Sequence, residues 1–256
     1  MLSSINQINN QSFTARCPQI RDADWVCRKV NSFQHTSVTK FRKQILDFAV
    51  SKGALAQGQS VHDLRNLRPI SDRNNFLLRL YSSYKNVVEK FSIIRASWKE
   101  KTLCDAKATD KMINQYKQHK IANCGEDAFL AAAIARMNEV ENVYTACLTK
   151  NDKLLGHQVC IFNKDGSEFD GIIKPLNTII IDPWLQKADF ASLLSKEYKT
   201  SLVNFIDFDE VDKIEFSKKF IKKIDFTGMD TFLLRTKYPD LIFQYSGREF
   251  MQTKRP

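Results

Sequence analysis

The chain has 256 residues, with 39 Lys and Arg against 29 Asp and Glu, a formal charge of +10. With 43% apolar and 11% aromatic residues it can bury a substantial core as one or two domains, while eight Gly and six Pro exclude collagen and low-complexity disorder and disfavour turn-dense all-β architectures. No apolar run approaches the ~18 residues of a membrane span, the first residues lack a signal-peptide pattern, and six Cys without CxxC spacing read as reduced thiols.

Residues 1–14, rich in Ser, Asn and Gln, read as a flexible leader. The next stretch, 15–105, reads as a basic helical region. Within it, Val38, Phe41, Ile45 and Phe48 recur at helical spacing between Thr36 and Leu55. A longer helix is expected from Asn74 to Trp98, where Leu77, Tyr81, Tyr84, Val88, Phe91 and Ile94 line one stripe, read as core-facing. Residues 1–100 hold sixteen Lys/Arg and seven Asp/Glu, +9 in all, so residues 101–256 carry only +1. Zinc and RNA-recognition signatures are missing, and no nucleic acid is expected as a partner. A solvated basic face, an acidic protein surface or an anionic membrane are the readings of that charge, with Arg65, Arg68, Arg73 and Arg79 as its test positions.

The remainder, 106–256, reads as the core that carries the chemistry. A helix over Asp110–His119 precedes Asn123-Cys124-Gly125-Glu126, which opens a strongly helical run to Met137. Asn123 is the expected N-cap and Glu126 the N3 residue of a capping box, which puts Cys124 on the first turn. Strands follow over Val140–Leu148, Gly156–Phe162 and Asn177–Ile181, with Asn163-Lys164-Asp165-Gly166 as a hairpin-type turn. Amphipathic helices are expected over Ala188–Tyr198 and Glu215–Ile224. Helices followed by an antiparallel sheet make the fold class α+β.

A thiol on the first turn of a helix meets the positive end of the macrodipole and unpaired N–H groups, which favour the nucleophilic thiolate. Among the cysteines, Cys124 alone has that position; Cys17, Cys27, Cys104, Cys147 and Cys160 read as inert thiols. A cysteine nucleophile needs a base, and the base an orienting acceptor. His35, His62 and His119 precede Cys124, and only His157 follows it, at the start of a strand. Asp182 closes the strand Ile179–Ile181, so pairing of the two strands would set its carboxylate against one imidazole nitrogen and leave the other for Cys124. Trp184 would shield that contact. No two Cys or His lie at metal-ligand spacing, so neither metal nor cofactor is expected. The acidic run Asp207, Asp209, Glu210, Asp212 lacks the Gly of a calcium loop and reads as a solvated turn. Lys218, Lys219, Lys222 and Lys223 read as one polar helix face, solvated or against a membrane.

NCGE before an apolar helix, then GHQVCIF, then IIIDPW, resembles the papain-like and transglutaminase-like cysteine enzymes, and more narrowly bacterial effectors of that type delivered into host cells. The resemblance covers about Gln118 to Trp184. It implies a nucleophile helix packed on an antiparallel sheet, with Cys124 as nucleophile, His157 as general base and Asp182 as orienting acid. It implies acyl transfer through a thioester: deamidation or transglutamination of a host-protein glutamine first, proteolysis second. The papain-like oxyanion hole uses a Gln six residues before the nucleophile, a spacing that Gln118 matches, with Gln115 as its substitute. Asn123 and Glu126 support the helix start. The sequence departs from papain in lacking the Gly and second Cys around the nucleophile and the Trp after it. The implied location is the producer's cytoplasm, with specialised secretion into a host cytosol. A reading from another class is a non-catalytic binding protein that docks through its basic helical front.

Overall fold

A computed structural model describes residues 18–33, 35–98, 106–150, 153–191, 193–194 and 215–243. The expectations for the leader, Cys17, Cys104 and the acidic run 207–212 lie outside the described residues. The elements in chain order are α1 (Pro18–Asn31), β1 (Thr36–Ser37), α2 (Val38–Ser51), α3 (Asp72–Trp98), α4 (Ala106–His119), β2 (Ile121–Ala122) and α5 (Cys124–Met137). They are followed by β3 (Tyr144–Lys150), β4 (Lys153–Asn163), β5 (Thr178–Asp182), β6 (Lys187–Phe190), β7 (Glu215–Phe216), β8 (Lys222–Lys223) and α6 (Gly228–Lys237). The fold class is α+β, as expected.

The two periodic stretches of the front become α2 and α3, and the helix expected over Asp110–His119 is α4. Ile45, Leu64, Leu77, Tyr84, Phe91 and Ile94 form an apolar cluster between α2, α3 and the 3-10 turn Val61–Asn66. α1 packs elsewhere: Ala23, Val26, Cys27 and Val30 share a cluster with α5, β4 and β5. Strand β1 pairs in parallel with β2, Thr36 opposite Ile121 and Ser37 opposite Ala122. The boundary drawn at residue 105 is therefore bridged by backbone pairing as well as by core contacts.

Every residue of α5 from Glu126 to Ala135 is buried. A helix apolar on all sides belongs at the centre of a core, and its alanines at 128, 131, 132, 133 and 135 let neighbours approach closely. The sheet beside it has the order β6-β5-β4-β3-β7, all antiparallel, and β8 also pairs with β3. One face, with Cys160, Phe162, Ile179 and Ile181, lies against α1 and α5. The other face, with Val159, Ile161, Ile180 and Phe216, packs against Phe169 and Trp184. Each fully buried Ile of β5 contributes on the order of 2 kcal/mol by leaving water.

Three expectations are corrected. Glu215–Ile224 is not a helix: β7 and β8 flank a 3-10 turn at Lys218–Phe220. The 3–4 spacing of Phe216, Phe220 and Ile224 imitated a helix, but β3 had an edge still able to pair, and backbone pairing there overrode local propensity. The four lysines consequently share no helix face. Lys187–Phe190 likewise extends the sheet as β6, where the sequence reads as the start of a helix. The turn at Asn163–Gly166 forms, with Gly166 N–H donating to the Asn163 carbonyl at 3.0 Å. It opens a longer excursion over residues 164–177, so β4 and β5 are not joined by a tight hairpin.

Candidate active site

The start of α5 is built from segments far apart in the chain. Lys120 takes a left-handed conformation (φ 51°) that ends α4. The short strand β2 then carries the chain, in register with β1, to Asn123. The expected capping box is formed, with Asn123 N–H donating to Glu126 Oε2 at 3.0 Å. Asn123 Oδ1 also accepts from Ser37 Oγ at 3.2 Å and from the Thr39 N–H at 3.1 Å. Cys124 follows as the first helical residue, half-buried, its Sγ 3.6 Å from the Gly156 carbonyl.

His157 reaches this thiol because β4 bulges. Gln158 lies opposite Cys147 and Leu154 opposite Thr149, so β4 spends Leu155, Gly156 and His157 where β3 spends Leu148 alone. Gly156 takes φ +68° at that point, a left-handed conformation that costs glycine little. Bulges of this kind re-aim the next side chain, and here it is the imidazole. On the neighbouring strand Ile181 is opposite Cys160, so Asp182 falls level with Val159 on the same face as His157, a diagonal neighbour.

His157 Nε2 and Asp182 Oδ2 are 2.6 Å apart, with side chains 1% and 0% exposed. The imidazole also hydrogen-bonds to Cys124, and with Nε2 given to Asp182 it is Nδ1 that is left for the thiol. Burial works against a charged imidazole, but the carboxylate of Asp182 and the thiol of Cys124 outweigh it and raise the pKa from 6.5 to about 10. The arrangement favours imidazolium at neutral pH. Trp184, 4% exposed, lies over this pair with ring centres 5.4 Å apart. Its Nε1–H donates to Ser37 Oγ at 2.9 Å, and Lys40 stands 4.4 Å over its ring. Burial lowers the Lys40 pKa, opposed by the carboxylates of Asp127 and Asp182.

The other cysteines differ. Burial pushes the thiols of Cys27 (to about 12), Cys147 and Cys160 up and so holds them protonated. His62 is exposed beside Tyr81, and His119 ends α4. Gln118 is exposed on the last turn of α4 and Gln115 is half-buried one turn earlier. The carboxamide that does lie against the first turn of α5 is that of Gln158: a Cβ on Gly125 would stand 3.0 Å from its Oε1. Sequence reasoning passed over Gln158, although the glycine after Cys124 was the available signal.

Two buried acids of that turn were also missed as contacts. Glu126, 2% exposed, pairs with Arg95 Nε at 3.0 Å. Burial raises its pKa and the guanidinium opposes the shift. Asp127, fully buried, accepts from the Tyr116 hydroxyl and lies 3.0 Å from His35 Nε2. These acids sit where the helix dipole favours negative charge. Among the described residues no group of three or more His, Cys, Asp or Glu is disposed to hold a metal ion. Compared with known proteins, the chain matches no family model, no curated protein and no solved structure.

Proposed function

We propose that the chain is a cysteine-dependent acyl-transfer enzyme in which Cys124 attacks, His157 carries the proton and Asp182 orients the imidazole. One observation carries this reading: a fully buried His157–Asp182 pair, 2.6 Å apart, hydrogen-bonded to a thiol on the first turn of a capped helix. A buried ionic pair is weak evidence for stability, because desolvation offsets the attraction; its juxtaposition with a nucleophile at a helix N-terminus is evidence for chemistry.

The acyl donor of first choice is the side-chain carboxamide of a protein glutamine, a choice that rests on the resemblance to transglutaminase-like effectors. The Cys124 thiolate adds to the carboxamide carbon, and the backbone N–H of Cys124 with the Gln158 carboxamide receives the oxyanion. Ammonia leaves with the proton of the imidazolium, and a thioester remains on Cys124. Water then gives a proton to His157 as its oxygen attacks, the thiolate departs, and glutamate is formed. An amine in place of water gives a cross-link; a backbone amide as donor gives proteolysis. On the same resemblance, the substrate is a host protein met after delivery.

Intact-mass analysis of candidate target proteins tests this reading. The expected result is replacement of an amide NH2 by OH, dependent on Cys124 and absent from Cys124→Ala. A thiol-directed probe gives the earlier check: near neutral pH it should label Cys124 ahead of the other thiols. Labelling no faster than theirs would remove the enzyme reading and leave the binding protein.

A further inference from the structure

The corner where α2 ends and α3 begins holds groups that the proposed chemistry does not use. Ile70, directly after Pro69 in the loop 67–71, is 83% exposed, and Phe76 at the start of α3 and Val50 at the end of α2 are 49% and 39% exposed. The projection is built. Arg73 Nη1 donates to the Lys52 carbonyl at 2.9 Å, and Asn74 Nδ2 to the Arg68 carbonyl at 2.8 Å. The rings of Phe48 and Phe76 meet edge-on at 5.6 Å, with Lys52 over the Phe48 ring.

Lys52, Arg68 and Arg73 lie at this loop and Arg79 further along α3; all four are exposed, and among the described residues none has a carboxylate partner. The nearby acids are engaged: Asp47 pairs with Lys43, Asp63 caps the Ser60 N–H, and Asp72 opens α3. Over residues 38–95 eleven Lys/Arg face four Asp/Glu, +7 in all. Against a phosphate backbone cations alone do the binding, whereas this corner pairs its cations with exposed Ile70 and Phe76. At a bilayer such apolar side chains enter the boundary between headgroups and acyl chains while the cations meet anionic lipid.

We propose that this corner docks the protein on an anionic phospholipid surface, with Ile70 and Phe76 entering the interface and Lys52, Arg68, Arg73 and Arg79 against the headgroups. α3 leads from here to Arg95 beside the nucleophile helix. At 1.5 Å per residue, Arg73 and Arg95 are about 33 Å apart along it, so the docking corner and Cys124 lie towards opposite ends of α3.

Sedimentation of the full chain with phosphatidylcholine vesicles, with and without phosphatidylserine, tests the proposal. Binding is expected only with phosphatidylserine and should weaken as salt is raised. Ile70→Ser should weaken it about tenfold with charge unchanged, and Arg68→Gln and Arg79→Gln about fivefold each. Wild-type labelling of Cys124 in every variant shows that the fold is intact. No binding to phosphatidylserine vesicles, or binding indifferent to Ile70→Ser, overturns the proposal. So does displacement of vesicles by equal charge of duplex DNA or polyglutamate, which would assign the corner to nucleic acid or an acidic protein.

Discussion

The hydroxyl of Ser37 accepts from the indole N–H of Trp184 at 2.9 Å. The same oxygen accepts from the Lys40 N–H at 3.3 Å and donates to Asn123 Oδ1 at 3.2 Å. One donor and two acceptor positions are all that a hydroxyl has, and here each is filled. The side chain that covers His157, the start of α2 and the cap of α5 are thereby fixed to one atom.

Ser37→Ala should therefore destabilise the fold by about 2 kcal/mol, from a lost helix cap and a buried indole N–H left without a partner. Urea denaturation followed by tryptophan fluorescence measures it. A cost within the noise of surface substitutions would show that the oxygen is replaceable by water.

Asp182→Asn keeps the shape of the site but removes the charge that holds the imidazolium. Turnover is expected to fall about 10⁴-fold, as when the acid of a triad is replaced by its amide, and Cys124 labelling at neutral pH should slow in parallel. Retained labelling with lost turnover would confine Asp182 to substrate handling.

The pH dependence has a definite sign. The folded state raises the pKa of His157 from 6.5 to about 10, so the folded chain binds that proton more tightly than the unfolded chain. Its contribution to stability is full below about pH 6.5 and is lost as pH rises towards about 10. Thermal melts of the wild type and His157→Gln should converge across that window. Divergence on raising the pH would mean that the imidazole is held neutral.

Gln158→Ala tests the oxyanion assignment. Loss of one donor typically costs about 100-fold in turnover, while alkylation of Cys124 by a small probe, which builds no oxyanion, should change little. Gln118→Ala and Gln115→Ala are the comparison. Greater losses there would return the role to α4.

Arg95→Ala leaves the buried Glu126 carboxylate without its cation. With Arg95 itself half in solvent, the expected cost is about 2 kcal/mol, less than for a fully buried pair. The deficit should shrink as pH is lowered, because a protonated Glu126 does not need the guanidinium. Denaturation at two pH values reads both effects.

Much of this geometry was legible in the residues because it is local. Asn123 and Glu126 announce their capping box by spacing, and the strand ending in Asp182 announces itself by three isoleucines. The reading failed where distant pairing decided. Phe216 and Ile224 fit a helix until β3 offers them an edge. The contacts Ser37–Asn123, His35–Asp127 and Arg95–Glu126 join residues whose nearness no periodicity encodes. Gln158 alternates with His157 along β4 and is brought to the first turn of α5 only by the way that helix crosses the strand.

The parallel pairing of Thr36 with Ile121 also sets an order in time. A chain made from its N-terminus cannot close that contact until residue 121 is free to return to residue 36, a long loop to close. Asp182 and Trp184 come later still, so the thiol emerges well before the groups proposed to activate it. Reactivity should switch on only when the last strands of the sheet have docked, which keeps a nascent chain chemically quiet.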